Sequence, residues 1–301
     1  MIDHRIPEPF HEGELRAQQL AGGGPAGAPI RSQMPDQHRQ FFPLLPFVCV
    51  AVADVQGWPL ATLLHGEPGF ASSPVPGRLR IAALPAPGDP AGPHFRQGAE
   101  IGILGIDLGT RRRNRENGVI AQADGEGVLV DVRQSFGNCP KYIHVRQLVP
   151  VARERGGIEA FGGELPPDAV RLIVACETMF VASASGNSAQ IGARGLDISH
   201  RGGEAGFLRL RDNVLTVPDY PGNRYFNTLG NLLLEPRAAL VMVDFASGDI
   251  LQLQGRAEIA WQDGALSDAR AKRAWTFRVA RGWLRRAAFP LAERHDIRHA
   301  C

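Results

Sequence analysis

Apolar residues in this chain gather into short runs separated by glycine and proline. Phe41 to Ala53 (FFPLLPFVCVAVA) is almost unbroken, and its valine-rich second half reads as a buried strand. Glu100 to Leu108, Met179 to Ser185 and Ala238 to Phe245 read the same way, with shorter extended segments at Leu60–Leu64, Arg78–Ala83, Gly127–Val132 and Val214–Val217. Ile250 to Ile259 alternates, with Leu251, Leu253, Ala257 and Ile259 on one side and Gln252, Gln254, Arg256 and Glu258 on the other. Helical stretches are few: Glu14–Leu20, Asp168–Cys176, and Asn227–Leu234, which stops before Pro236. Pro-Gly clusters at 74–77 and 85–93 separate the strands of the first half. The pattern predicts a mainly β protein of short antiparallel strands with few helices.

The pattern occurs twice. Gly66-Glu67-Pro68-Gly69-Phe70 returns as Gly203-Glu204-Ala205-Gly206-Phe207, and Ile101–Leu108 returns at the same separation as Ala238–Phe245. Gly156-Gly157, Gly162-Gly163 and Pro166-Pro167 mark the boundary between halves. The expected organisation is an N-terminal arm over 1–36, a barrel over 37–155, a second barrel over 165–290, and a tail over 291–301.

The copies differ in chemistry. The second holds Ser199-His200-Arg201-Gly202-Gly203 and, some twenty residues on, Pro221-Gly222-Asn223-Arg224 opening the 227–234 helix. Arginine offers a fork matched to phosphate oxygens, and donors in a turn before a helix aim at an anion. The first copy has Thr62-Leu63-Leu64-His65-Gly66 and Pro87-Gly88-Asp89-Pro90 in those places. Taken singly, Asn223 also reads as a helix cap and Arg201 as a solvated turn residue. Their joint loss from an otherwise parallel copy points to a single anion site in the second half.

Composition changes this picture little. With 301 residues, 44% hydrophobic and 21% charged, the chain has room for two domains, and a net charge of +2 argues against nucleic acid or an anionic membrane. The four cysteines show no metal-ligand spacing, so no disulfide framework and no metal site are expected; Cys49 and Cys176 read as buried thiols. The N-terminus lacks the apolar run of a signal peptide, and no segment reaches bilayer-crossing length, so the expectation is a cytoplasmic protein. No Gly-x-Ser-x-Gly elbow and no dinucleotide-type Gly-x-Gly-x-x-Gly opens a helix.

The residues from Met179 to Trp261 resemble the pyridoxamine 5'-phosphate oxidase-like FMN-binding split barrels. The resemblance is carried by Asp197–Gly203 with Gly206-Phe207, by Pro218–Leu232, and by Asp249–Glu258 (DILQLQGRAE). The first half adds Met34–Arg39, Thr110–Gly118 and Gln134–Ile143, which are similar to a tandem two-barrel, oxidase-related subgroup. The resemblance implies two split β-barrels forming a pseudo-dimer within one chain, with FMN between them. It implies Ser199, His200, Arg201, Asn223 and Arg224 around the phosphate, Asn227 supporting them, and Gln252 or Gln254 facing the ring. The chain lacks the Arg-x-x-x-Leu-Lys strand of the true pyridoxamine phosphate oxidases, which argues against that reaction.

Arg111, Arg113 and Arg115 would share one face of an extended strand and are candidates for binding an anionic substrate, against the alternative of a solvated hairpin tip. His200, within the flavin cluster, and Cys139, near Lys141, are candidate catalytic groups; a plain Gly-Asn turn with a buried thiol is the other reading of Cys139. The leading expectation is a flavin-dependent oxidoreductase acting on a small molecule, as a monomeric pseudo-dimer or homodimer, reduced by NAD(P)H or a separate reductase. The alternatives are a flavin-binding or sensing module without turnover, and a haem-binding or haem-degrading split barrel.

Overall fold

The computed structural model describes residues 4–186, 188, 195–261, 268 and 270–294. The part of the expected tail from 295 onward, with Cys301, lies outside them. The first half forms β1 (Phe47–Ala53), β2 (Pro59–His65), β3 (Ala71–Ser72), β4 (Arg78–Ile81), β5 (Glu100–Asp107), β6 (Arg112–Asp124) and β7 (Gly127–Gly137). After β8 (Leu148–Pro150) and β9 (Ile158–Phe161), the second half forms β10 (Thr178–Ala184), β11 (Leu196–Gly202), β12 (Arg209–Arg211), β13 (Val214–Asp219), β14 (Arg237–Val243), β15 (Ile250–Ala260) and β16 (Arg273–Arg285). A final strand, β17 (Leu291–Glu293), pairs back onto β8.

The two sheets have the same path. One runs β2-β1-β5-β6-β7-β4-β3, and the other runs β11-β10-β14-β15-β16-β13-β12, each label being nine higher. All pairings are antiparallel. The chain therefore folds as tandem split β-barrels, each curled round its own apolar interior and set face to face.

The unbroken apolar runs follow from that arrangement. On β1, Val48, Val50 and Val52 fill the first barrel, while Phe47, Cys49 and Ala51 face the seam between barrels. On β10, Met179 and Val181 point inward, and Phe180 and Ala182 meet the same seam. Strands buried on both faces have no polar alternation to show. The barrels come close enough that a Cβ on Gly102 would stand 2.6 Å from the Leu196 carbonyl oxygen, so β5 passes β11 only because position 102 is glycine. No described helix is long and apolar enough to cross a membrane.

Four α-helices complete the fold among the described residues. α1 (Glu12–Leu20) belongs to the N-terminal arm, α2 (Asp36–Phe41) plugs the first barrel, α3 (Pro167–Ala175) leads into β10, and α4 (Asn227–Leu234) joins β13 to β14. The arm crosses to the second barrel and lays α1 on α4. The contact is glycine to glycine, since a methyl on Gly13 or on Gly230 would run into the opposing backbone. Around it the interface is polar: His11 Nε2 meets Asn231 Oδ1 at 2.8 Å, and Asn227 donates to the Glu14 carboxylate.

Candidate functional site

The end of β11 builds the first wall of a cleft between the barrels. Asp197, Ser199 and Arg201 alternate with Ile198 and His200, so the strand presents polar groups on both faces. The second wall is the turn from β13 into α4. There Arg224 (φ 64°) and Phe226 (φ 61°) are both left-handed although neither is glycine, a conformation costing on the order of 1–3 kcal/mol for a bulky residue. Asn223 Oδ1 accepts from the Tyr225 amide at 3.1 Å, fixing the turn, and no side chain caps α4, whose N-terminal end opens on the cleft. The first barrel supplies the third wall: Arg113 and Arg115 from β6, and Asn138, Cys139, Lys141 and Tyr142 from the loop after β7. Tyr142 stacks on Tyr220 across the barrels, with centroids 4.9 Å apart. The cleft has a volume of about 430 Å³.

The cleft is strongly cationic. Burial, then neighbouring Arg115 and Arg201, pull the Arg113 guanidinium down to about 10. Burial also lowers Arg201. Burial drives His200 well below its ordinary value, and Arg113 and Arg201 push the same way. Arg113 NH1 lies 3.1 Å from His200 Nδ1; a guanidinium only donates, so Nδ1 accepts and the imidazole proton sits on Nε2. That Nε2, Arg201 Nε and Asn138 Nδ2 are buried with no hydrogen-bond partner among the described residues. Buried donors left unpaired are costly, and the three residues that carry them line one cleft.

Behind the cleft a polar network ties both barrels to the arm. Arg115 donates to Ser199 Oγ (2.7 Å), to Asp197 (3.0 Å) and to Asn227 Oδ1 (3.1 Å). Thr228 donates to Ser199 (3.0 Å), and Asn231 to Asp197 (2.9 Å). Burial, reinforced by Asp197, raises the Glu14 carboxyl well above its usual range.

Six of the residues chosen for the cofactor, Ser199, His200, Arg201, Asn223, Arg224 and Asn227, come together on this cleft. Arg224 lies at the rim with one nitrogen on the arm, donating to Gly23 O at 2.6 Å. Gln252 and Gln254 do not face the cleft. They lie in the seam, donating to Ala61 O and Pro59 O at 2.8 Å each, because the polar face of β15 is covered by β2. Of the three arginines, Arg113 and Arg115 enter the cleft and Arg111 does not. β6 starts at Arg112, so Arg111 falls in the hairpin turn (φ 59°), exposed and outside the strand alternation. Cys139 lines the cleft, and its carbonyl accepts from Arg113 Nε at 2.7 Å.

Asp219, Lys272, Arg273, Asn138 and the arm residues Ala21 and Gly22 also line the cleft, and sequence reasoning did not single them out as site residues. The position of Asn138, just past the strand paired with the arginine hairpin, was the available signal. Outside the cleft, His144, Glu177 and Glu204 bring one nitrogen and two carboxylates within 4.8 Å, but Arg146 already pairs with Glu177.

No protein-family model and no curated protein matches this sequence. Solved structures do. The chain is similar to HupZ from Group A Streptococcus, with 16% identity over 38% of this chain and 90% of that one and a TM-score of 0.29. It is similar to a FAD-binding protein from Mesorhizobium loti, with 12% identity over 42% of this chain and 97% of that one and a TM-score of 0.29. General Stress Protein 26 from Bacillus anthracis matches at 10% identity over 37% of this chain and 84% of that one, with a TM-score of 0.26.

Proposed function

We propose that the cleft binds FMN through its phosphate and that the chain is a flavin-dependent oxidoreductase acting on a small anionic molecule. The observation that carries this reading is that Arg201, His200 and Asn138 line the same cleft as the uncapped first turn of α4. A dianionic phosphate fits that donor set, which offers guanidinium, imidazole N–H, amide N–H and an uncapped helix end. Ser199, Arg201, Asn223 and the first turn of α4 would hold the phosphate. Bound FMN would supply hydride transfer, a chemistry that no side chain here provides.

The protein's own groups orient and exclude. The Tyr142–Tyr220 stack closes one side of the cleft with apolar surface. His200 is neutral and serves as an Nε2–H donor rather than a proton source. Arg113, Lys141 and Lys272 remain for an anionic substrate, and NAD(P)H or a separate reductase would provide the electrons.

The test is titration of purified protein into FMN, followed by quenching of flavin fluorescence, then addition of NADH or NADPH. Saturable binding at one equivalent supports the cofactor assignment, and bleaching of the bound flavin separates an enzyme from a passive binder. FMN that stays fully fluorescent at stoichiometric protein contradicts the assignment.

A further inference from the structure

The two barrels correspond position by position, and the correspondence reaches the cleft. Val50 pairs with Ile103 and Val181 with Leu240, within the duplicated runs 101–108 and 238–245. Thr62 stands opposite Val50 as Ser199 stands opposite Val181. Arg115 stands opposite Leu104 as Gln252 stands opposite Val241. At the next step Arg285 pairs with Ile250, while the Asn138 amide bonds the Arg113 carbonyl. Thr62, Gln252 and Arg285 are therefore the counterparts of Ser199, Arg115 and Asn138.

Ser199 of the second barrel and Arg115 and Asn138 of the first line the cleft. Their counterparts, Thr62 of the first barrel and Gln252 and Arg285 of the second, surround a carboxylate. Asp89 accepts from the Thr62 hydroxyl, from Arg285 NH1 at 2.6 Å, from Gln252 Nε2 at 3.0 Å and from the Ala91 amide at 2.9 Å. Thr62, Asp89, Gln252 and Arg285 are 0%, 4%, 2% and 4% exposed, so all four are almost wholly shielded from solvent. A buried carboxylate with this donor set is bound as a ligand anion is bound.

We propose that the Asp89 carboxylate is a built-in anion filling the first barrel's copy of the oxyanion site, and that this copy takes a free oxyanion of formate size once the carboxylate is removed. The chain then has room for one external anionic ligand, in the second barrel. Leu63 and Leu64 stand where His200 and Arg201 stand in the other copy, so the vacated place would suit a small carboxylate and not a flavin phosphate. The inference rests on strand register and on the reading of the cleft as an anion site, and does not depend on which anion fills it.

Thermal melts of Asp89→Ala and the unsubstituted chain in sodium formate and in sodium chloride at equal ionic strength test it. Removing one partner of a buried pair leaves Arg285 uncompensated, and Tm is expected to fall by on the order of 10 °C in chloride. Formate should restore a large part of that loss in Asp89→Ala and shift the unsubstituted chain no more than chloride does. Equal formate shifts in the two chains overturn the proposal. If Asp89→Ala is recovered only unfolded, refolding yield is read instead: a higher yield in formate supports the proposal, and equal yields overturn it. The double substitution Asp89→Ala with Arg285→Met should melt above Asp89→Ala and lose the formate response; a retained response overturns the proposal. FMN titration of the same variants is a separate readout, so failure here and failure of the cofactor assignment are distinguishable.

Discussion

Arg115 of the first barrel donates across the seam to the Ser199 hydroxyl of the second, 2.7 Å away, while its other terminal nitrogen holds Asp197 at 3.0 Å. The wall that the second barrel lends to the cleft is thus positioned by a residue of the first barrel. Arg115→Met should lower Tm, because Asp197 loses its cation in a buried setting, by on the order of 3 kcal/mol of stability. It should also weaken FMN binding. Arg115→Lys keeps the charge without the fork and should recover stability better than affinity. Melting curves and fluorescence titration on both variants separate the two effects.

Arg201→Ala combined with Asn223→Ala removes a half-buried guanidinium and the side chain that fixes the strained turn. Flavin affinity should fall on the order of a hundredfold or more, from the loss of charge-assisted hydrogen bonds. Asp89→Ala, in the other barrel, should leave flavin affinity unchanged. Titrations of the two variants side by side check both halves of this expectation.

Much of the architecture was legible because a repeated sequence implies a repeated fold. The runs 101–108 and 238–245 became β5 and β14, and the 227–234 helix begins and ends as its apolar spacing and Pro236 require. The 199–203 and 221–227 segments converge because strand end and helix start recur at fixed places in one barrel. Gln252 and Gln254 were misread for a physical reason: alternation shows which residues share a face of β15, but not that β2 covers it. The arm was opaque because its helix docks through His11, Glu14, Gln18 and glycine, residues that in isolation look solvated. Arg111 was grouped with Arg113 and Arg115 because the hairpin turn, one residue before β6, leaves no mark in a run of arginines.

Gly230→Ala tests how the arm is held. The added methyl meets the Glu14 backbone, and relieving that overlap should cost roughly 1–3 kcal/mol. The expected result is faster amide exchange over residues 12–20 with little change in the strands of the first barrel. Unaltered exchange in α1 would contradict close packing of the two helices.

His38 gives a pH dependence with a definite sign. Burial, with Arg31 and Arg112 adding to it, lowers the imidazole to about 4, and its Nδ1 sits 2.9 Å from Ser135 Oγ and 3.0 Å from the buried Glu116 carboxyl. Between the unfolded value near 6.5 and the native value near 4, the unfolded chain takes up a proton that the native chain does not. The His38 contribution is therefore complete above pH 6.5 and is lost as pH falls toward 4. His38→Gln should melt with a shallower dependence on pH across that window than the unsubstituted chain, measured by calorimetry.

The most direct measurement of the central claim is the structure of a crystal soaked with FMN. The phosphate should lie within hydrogen-bonding distance of Arg201 and of the turn from Asn223 into Asn227, with the ring between the barrels. A phosphate bound elsewhere, or a cleft that stays empty at saturating FMN, would contradict it.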